Sequence, residues 1–118
     1  MRWGGVGEER RRSPPRGLTV FCSVSVIRCA PANLEAYLDL RRREVDPRMA
    51  AAPGFVLRTL LRSRQAESEL LLIVHWRSYE DALAYRRGAV HDDLRRQALA
   101  LLEGPLETRD YDLLAGDG

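Results

Sequence analysis

The run Leu70-Leu71-Leu72-Ile73-Val74-His75-Trp76-Arg77-Ser78 constrains the fold more than any other stretch of the chain. Read as a strand it is apolar on both faces, with Leu70, Leu72, Val74 and Trp76 on one and Leu71, Ile73 and His75 on the other. A strand buried on both sides needs cover on both. Helices supply one layer, and a partner subunit is the simple source of the second. Upstream, Pro53-Gly54 turns the chain into another β-rich run. Its alternation sets Phe55, Leu57, Thr59 and Leu61 opposite Val56, Arg58, Leu60 and Arg62. The polar break Gln65-Ala66-Glu67-Ser68 makes the two runs an antiparallel hairpin. Downstream, Ser78 with Asp81 three residues later is a capping-box-like helix start.

The remaining elements fall around this hairpin. Residues 18–28 alternate as a first strand, with Val20, Cys22, Val24 and Val26 on one face and Phe21, Ser23, Ser25 and Ile27 on the other. Pro31 suits the first turn of a helix. Leu34, Tyr37, Leu38 and Val45 form its apolar stripe, Arg41, Arg42, Arg43 and Glu44 its solvated faces, and the helix is expected to fray or break near Asp46-Pro47. Two helical pieces, 78–87 and 90–103, hinge near Gly88, the second turning Val90, Leu94, Leu101 and Leu102 inward. A last strand, about 106–114, comes after Gly104-Pro105. The order βαββαβ is the ferredoxin-like α+β arrangement, a four-stranded antiparallel sheet with helices on one face. Two such sheets packed face to face would give a homodimeric α/β barrel.

Composition bounds the rest. With 118 residues and 45% hydrophobic content, the chain suits one packed domain, assigned to residues 18–115. Residues 1–17 hold five arginines against two glutamates and little apolar material, and are expected to be a dispensable disordered basic tail. The remainder, with 14 arginines against 15 acidic residues, is nearly neutral, and no basic stripe interleaved with aromatics suggests nucleic-acid binding. No apolar run reaches bilayer length and no apolar signal core opens the chain, so a cytoplasmic protein without membrane partners is expected. Cys22 and Cys29 read as reduced structural thiols, and neither they nor His75 and His91 show a metal-site spacing. No glycine-rich nucleotide loop is present, so no cofactor is expected.

Three sets of residues together carry a family resemblance: Cys29-Ala30-Pro31-Ala32 before the first helix; Pro53-Gly54-Phe55-Val56 with Leu60-Leu61; and Val74-His75-Trp76-Arg77-Ser78 followed by Ala82 and His91. In this order and spacing the chain resembles the antibiotic biosynthesis monooxygenase family of dimeric α/β barrels. The resemblance implies a pocket between sheet and helices in each subunit.

Within that family the chain is most similar to the polyketide-tailoring branch, whose small oxygenases turn anthrone-type phenols into quinones without a cofactor. The resemblance implies catalytic roles for Trp76, matching a tryptophan that closes the third strand, and for Ser23, at a position where the branch carries asparagine. Ser25, Phe55, Leu72, Tyr85 and His91 are the expected substrate-binding residues, with an aromatic substrate and dioxygen as small-molecule partners. A deprotonated polyphenol can reduce dioxygen itself if the enolate is stabilised, and a hydroxyl donor beside an indole suits that task. His75 has the opposite strand parity to Trp76 and should face the dimer side, whereas His91 should lie near the pocket mouth.

Two alternatives stand beside this reading. One is a non-catalytic protein of the same fold that binds a hydrophobic ligand or serves as a subunit of a complex. The other is the haem-degrading branch, whose ligand position falls near Leu94 or Arg95, with His91 one helical turn too early and Tyr85 where the branch carries tryptophan.

Overall fold

A computed structural model describes residues 20–116, so the expectation for residues 1–17 lies outside the described residues. The hairpin is present as β2 (Phe55–Arg62) and β3 (Glu69–Trp76), which pair antiparallel. β3 also pairs with β1 (Phe21–Arg28), and β1 with β4 (Glu107–Asp112). The sheet order is therefore β2-β3-β1-β4, antiparallel throughout, as the ferredoxin-like reading requires. Alternation is clean on the central strands: Phe21, Ser23, Ser25 and Ile27 are buried, as are Leu70, Leu72, Val74 and Trp76.

β2 departs from simple alternation. Phe55 pairs with Trp76 while Leu57 pairs with His75, so Val56 is the extra residue of a bulge. One inserted residue changes parity, which separates Phe55 from Leu57, Thr59 and Leu61 and turns it to the helix side. There its ring meets Trp76 edge-on at 6.0 Å. Gly54 sets up this entry with φ +83, and a Cβ there would overlap the Asp81 carboxylate, so glycine alone lets the turn tuck against the next helix. That helix, α3 (Tyr79–Arg86), starts as expected: the Ser78 hydroxyl accepts from the Asp81 N–H at 3.0 Å.

The first helical segment differs from expectation in two respects. A 3-10 turn (Pro31–Asn33) leads into α1 (Leu34–Leu40), then a π turn (Arg41–Val45), then α2 (Asp46–Ala50). The chain thus stays helical through Asp46-Pro47 instead of breaking. Proline cannot donate to the carbonyl four residues back and its ring crowds it, and the wider π turn immediately before it accommodates both demands. The extra residue in that turn also rotates the helix. Arg41, expected on a solvated face with Arg42 and Arg43, is instead buried at 5% exposure, while its two neighbours are exposed.

After Gly88 the chain forms α4 (Ala89–Leu99), which buries Leu94 and Ala98. Leu101 and Leu102 pack partly against the core, but Val90, expected inward, is 53% exposed. It lies on the first turn beside Ala89, and one helical turn later Leu94 is the residue that reaches the core. Among the described residues, no helix is long and apolar enough to cross a membrane.

The helices lie on one face of the sheet. On the other, the pairing registers align Leu57, His75, Cys22 and Tyr111 in one row, and Leu61, Leu71 and Val26 in another. Ile73 and Val24 lie side by side between these rows. Cys22 Sγ lies 3.6 Å from His75 Nδ1, and burial pushes the thiol up and the imidazole down in pKa, so both are uncharged near neutrality.

Candidate active site

Between sheet and helices lies a cavity of about 410 Å³. Its position is set by side-chain size along β1. On the helix-facing side, Ser23 and Ser25 stand between Phe21 and Ile27, and two serines where large side chains would otherwise fill the layer leave space below the helices. The floor is completed by Leu72, Val74 and Trp76 of β3 and Thr108 of β4. Tyr37, Arg41, Val45 and Met49 form one wall, and Tyr85, His91, Leu94 and Ala98 the other.

Aromatic rings line one side in sequence. Trp76 and Tyr85 lie tilted with centroids 5.6 Å apart, and Tyr85 meets His91 edge-on at 5.0 Å. Such a row offers π faces and ring edges to a flat ligand. Burial raises the Tyr85 phenol, keeping it protonated at neutral pH. Burial lowers His91 below its ordinary value of 6.5, with the Arg86 backbone acting in the opposite sense, so the imidazole is neutral there.

Among the described residues, three buried polar side-chain atoms have no hydrogen-bond partner: Tyr85 Oη, His91 Nδ1 and Arg41 Nε. All three residues border this cavity. A native fold pairs most buried polar groups, and these three orphans fall on residues that line one space. Arg41 is otherwise held firmly. It donates to the Tyr37 hydroxyl at 3.2 Å and to Asp46 at 2.8 Å, and Asp46 also binds Arg58 of β2 at 2.7 Å. Its burial and its position could be sensed from sequence only by anticipating the π turn that Pro47 induces.

Of the residues expected to form the site, Trp76, Ser23, Ser25, Leu72, Tyr85 and His91 all border the cavity. Ser25 and Thr108 share a hydroxyl hydrogen bond of 2.8 Å, tying β1 to β4 across the floor. Phe55 is not among the lining residues; after the bulge it supports Trp76 through the edge contact at 6.0 Å. His75 lies on the opposite face beside Cys22. Arg86, partly exposed near the mouth, pairs with Asp110 of β4 at 2.6 Å and lies over the Phe21 ring at 6.0 Å.

The family profile described as antibiotic biosynthesis monooxygenase matches residues 21–97, which run from the first residue of β1 into α4. The chain belongs to the antibiotic biosynthesis monooxygenase family. Solved structures share its fold. SnoaB, a cofactor-independent oxygenase from Streptomyces nogalater, is 20% identical with a TM-score of 0.71, covering 81% of this chain and 94% of that one. Rv0793 from Mycobacterium tuberculosis is also 20% identical, with a TM-score of 0.70 and coverage of 83% and 98%. PA3566 from Pseudomonas aeruginosa is 23% identical, with a TM-score of 0.65 and coverage of 82% and 96%. No curated protein sequence matches the chain.

For the haem-degrading branch of the family, the expected ligand position falls on Leu94, which packs in the core without a donor atom, or on Arg95, an exposed cation at the cavity edge. Neither side chain supplies the neutral imidazole that holds a porphyrin iron.

Proposed function

We propose that the protein is a cofactor-independent monooxygenase that oxidises an aromatic, polyketide-type phenol, converting an anthrone carbon to a quinone carbonyl. The observation that carries this reading is the aromatic row Trp76-Tyr85-His91 along a cavity whose floor sets the Ser23, Ser25 and Thr108 hydroxyls beside Leu72 and Val74. His91, neutral and bordering the cavity, is the group that would take the substrate's acidic proton. The resulting enolate is electron-rich enough to reduce dioxygen directly. The ring methylene becomes a carbonyl, one oxygen atom is retained, and the other leaves as water. Ser23, Tyr85 and the Trp76 indole N–H are the hydroxyl and N–H donors available to the developing negative charge. Ser25, Leu72 and His91 would contact the substrate, with Phe55 bracing Trp76 from behind.

Oxygen uptake by the purified protein with dithranol, a dihydroxyanthrone, tests the reading. One dioxygen is expected per quinone formed, at a rate well above spontaneous oxidation. Ser23→Asn should preserve or raise that rate and Ser23→Ala should lower it, because the amide keeps a donor at this position and the methyl removes it. No enzyme-dependent uptake with any reduced polyphenol, together with retained binding of the quinone, would move the protein to the ligand-binding alternative.

The pH profile gives a second check. A catalytic base must be unprotonated, and His91 is depressed below the ordinary histidine value by burial. Activity should therefore be flat through neutral pH and decline only on the acid side of pH 6.5. His91→Gln should abolish that acid limb; an unchanged limb in the variant would remove His91 from the role of base.

A further inference from the structure

Cys22 and His75 are 53 residues apart in the chain but directly opposite each other where β1 pairs with β3, on the sheet face away from the helices. Cys22 Sγ and His75 Nδ1 lie 3.6 Å apart. Two ligands of one tetrahedral zinc ion, with Zn–S of about 2.3 Å and Zn–N of about 2.0–2.1 Å, are separated by roughly 3.5 Å. The sheet therefore holds a thiol and an imidazole at the spacing of half a zinc site. Leu57 flanks His75 and Tyr111 flanks Cys22 in the same row; Ile73 and Val24 form the centre of the next, with Thr59 and Arg109 at its ends. Neither row contains a carboxylate to attract a hard cation such as Mg²⁺ or Ca²⁺, whereas thiolate with imidazole suits Zn²⁺.

Half a site needs a second half, and one chain does not supply it. The chain contains two cysteines and two histidines; Cys29 is buried and donates to the Ala30 carbonyl, and His91 borders the cavity. Among the described residues, no three His, Cys, Asp or Glu side chains are grouped to hold a metal ion. A second copy has the missing ligands. β3 and β1 are the two inner strands of the sheet, so His75 and Cys22 straddle its midline. A two-fold axis along that midline sets each Cys22 over the His75 of the other copy, in the same row. Sheets packed face to face lie about 10 Å apart, leaving roughly 5 Å from each backbone to the midplane, which a cysteine side chain and one Zn–S bond span. We propose that Cys22 and His75 of two copies form an inter-subunit Zn²⁺ site of two thiolates and two imidazoles. Each thiol releases its proton to solvent on coordination, so two thiolates balance the divalent ion and the centre placed in the apolar interface is neutral overall. The site lies across the sheet from the cavity and is independent of the oxygenase reading.

Co²⁺ reports tetrahedral thiolate coordination by its colour and serves as the probe. Titrated into the full chain after chelator treatment, under reducing conditions, it should give a sulfur-to-cobalt charge-transfer band that reaches its endpoint at one ion per two chains. Zn²⁺ should displace Co²⁺ and bleach the band, and Mg²⁺ should not. Cys22→Ser should abolish the band and Cys29→Ser should leave it intact. His75→Gln should weaken Co²⁺ binding by at least about tenfold, the lower end of what losing even an outer-shell partner costs. In sedimentation, Zn²⁺ at about one hundred times its Kd should tighten the dimer roughly a hundredfold. Three results with the unmodified protein each overturn the proposal: no charge-transfer band, an endpoint of one ion per chain, or a dimer that Zn²⁺ does not tighten. These readings need no variant to fold. A band that persists in Cys22→Ser, or an affinity unchanged in His75→Gln, overturns the assignment of the ligands.

Discussion

Replacing Trp76 by phenylalanine is expected to lower the rate of oxygen uptake with an anthrone by roughly tenfold to a thousandfold, the usual cost of removing one oriented donor to developing charge. Phenylalanine keeps a ring between Phe55 and Tyr85, so most of the packing at this strand end survives. The stability cost should be ordinary for a core substitution, about 1–2 kcal/mol. Thermal melts beside oxygen-electrode rates separate the two effects. A rate that falls only as far as the folded fraction falls would make Trp76 a core aromatic and nothing more. Because Trp76 is only 3% exposed and closes β3 where the sheet hands over to α3, Trp76→Ala would confound the comparison by opening a cavity.

The second large effect concerns the sheet face that no described helix covers. Val24, Ile73 and Leu71 form its centre, and Leu57, Leu61 and Tyr111 towards the edges are 40%, 47% and 50% exposed. A homodimer formed by packing two such faces should bury on the order of 1,200–2,000 Å² in total. Ile73→Glu would place a charge in each half of that interface without a partner, at a cost of several kcal/mol per ion. Sedimentation at micromolar concentration should show a dimer for the unmodified protein and a monomer for the variant. A monomer for the unmodified protein would mean that something other than a second copy covers this face. His75 and Cys22 lie on the same face, and their uncharged states at neutral pH suit burial there.

Local patterns that report one residue's preference were legible in the sequence. Alternation in β1 and β3 assigned each side chain to a face, Ser78 and Asp81 marked the start of α3, and Pro53-Gly54 marked the turn into β2. The order of those elements then left the ferredoxin-like sheet as the arrangement that buries them. Trp76, Ser23, Ser25, Leu72, Tyr85 and His91 could be drawn to one cavity because strand parity and helix position place them there.

Two one-residue irregularities lay beyond that reach. The bulge at Val56 turns Phe55 to the other face, and the π turn before Pro47 carries Arg41 from the solvent side to the cavity wall. Each adds a residue to a regular repeat, which shifts the facing of neighbouring side chains while leaving composition and spacing unchanged. Packing selects them: Phe55 gains the Trp76 ring, and Arg41 gains Tyr37 and Asp46. The sequence by itself therefore determined the elements, their order and the aromatic side of the site. The tertiary structure decided its charge, because Arg41 becomes a buried cation only when the helix that carries it is laid across the sheet.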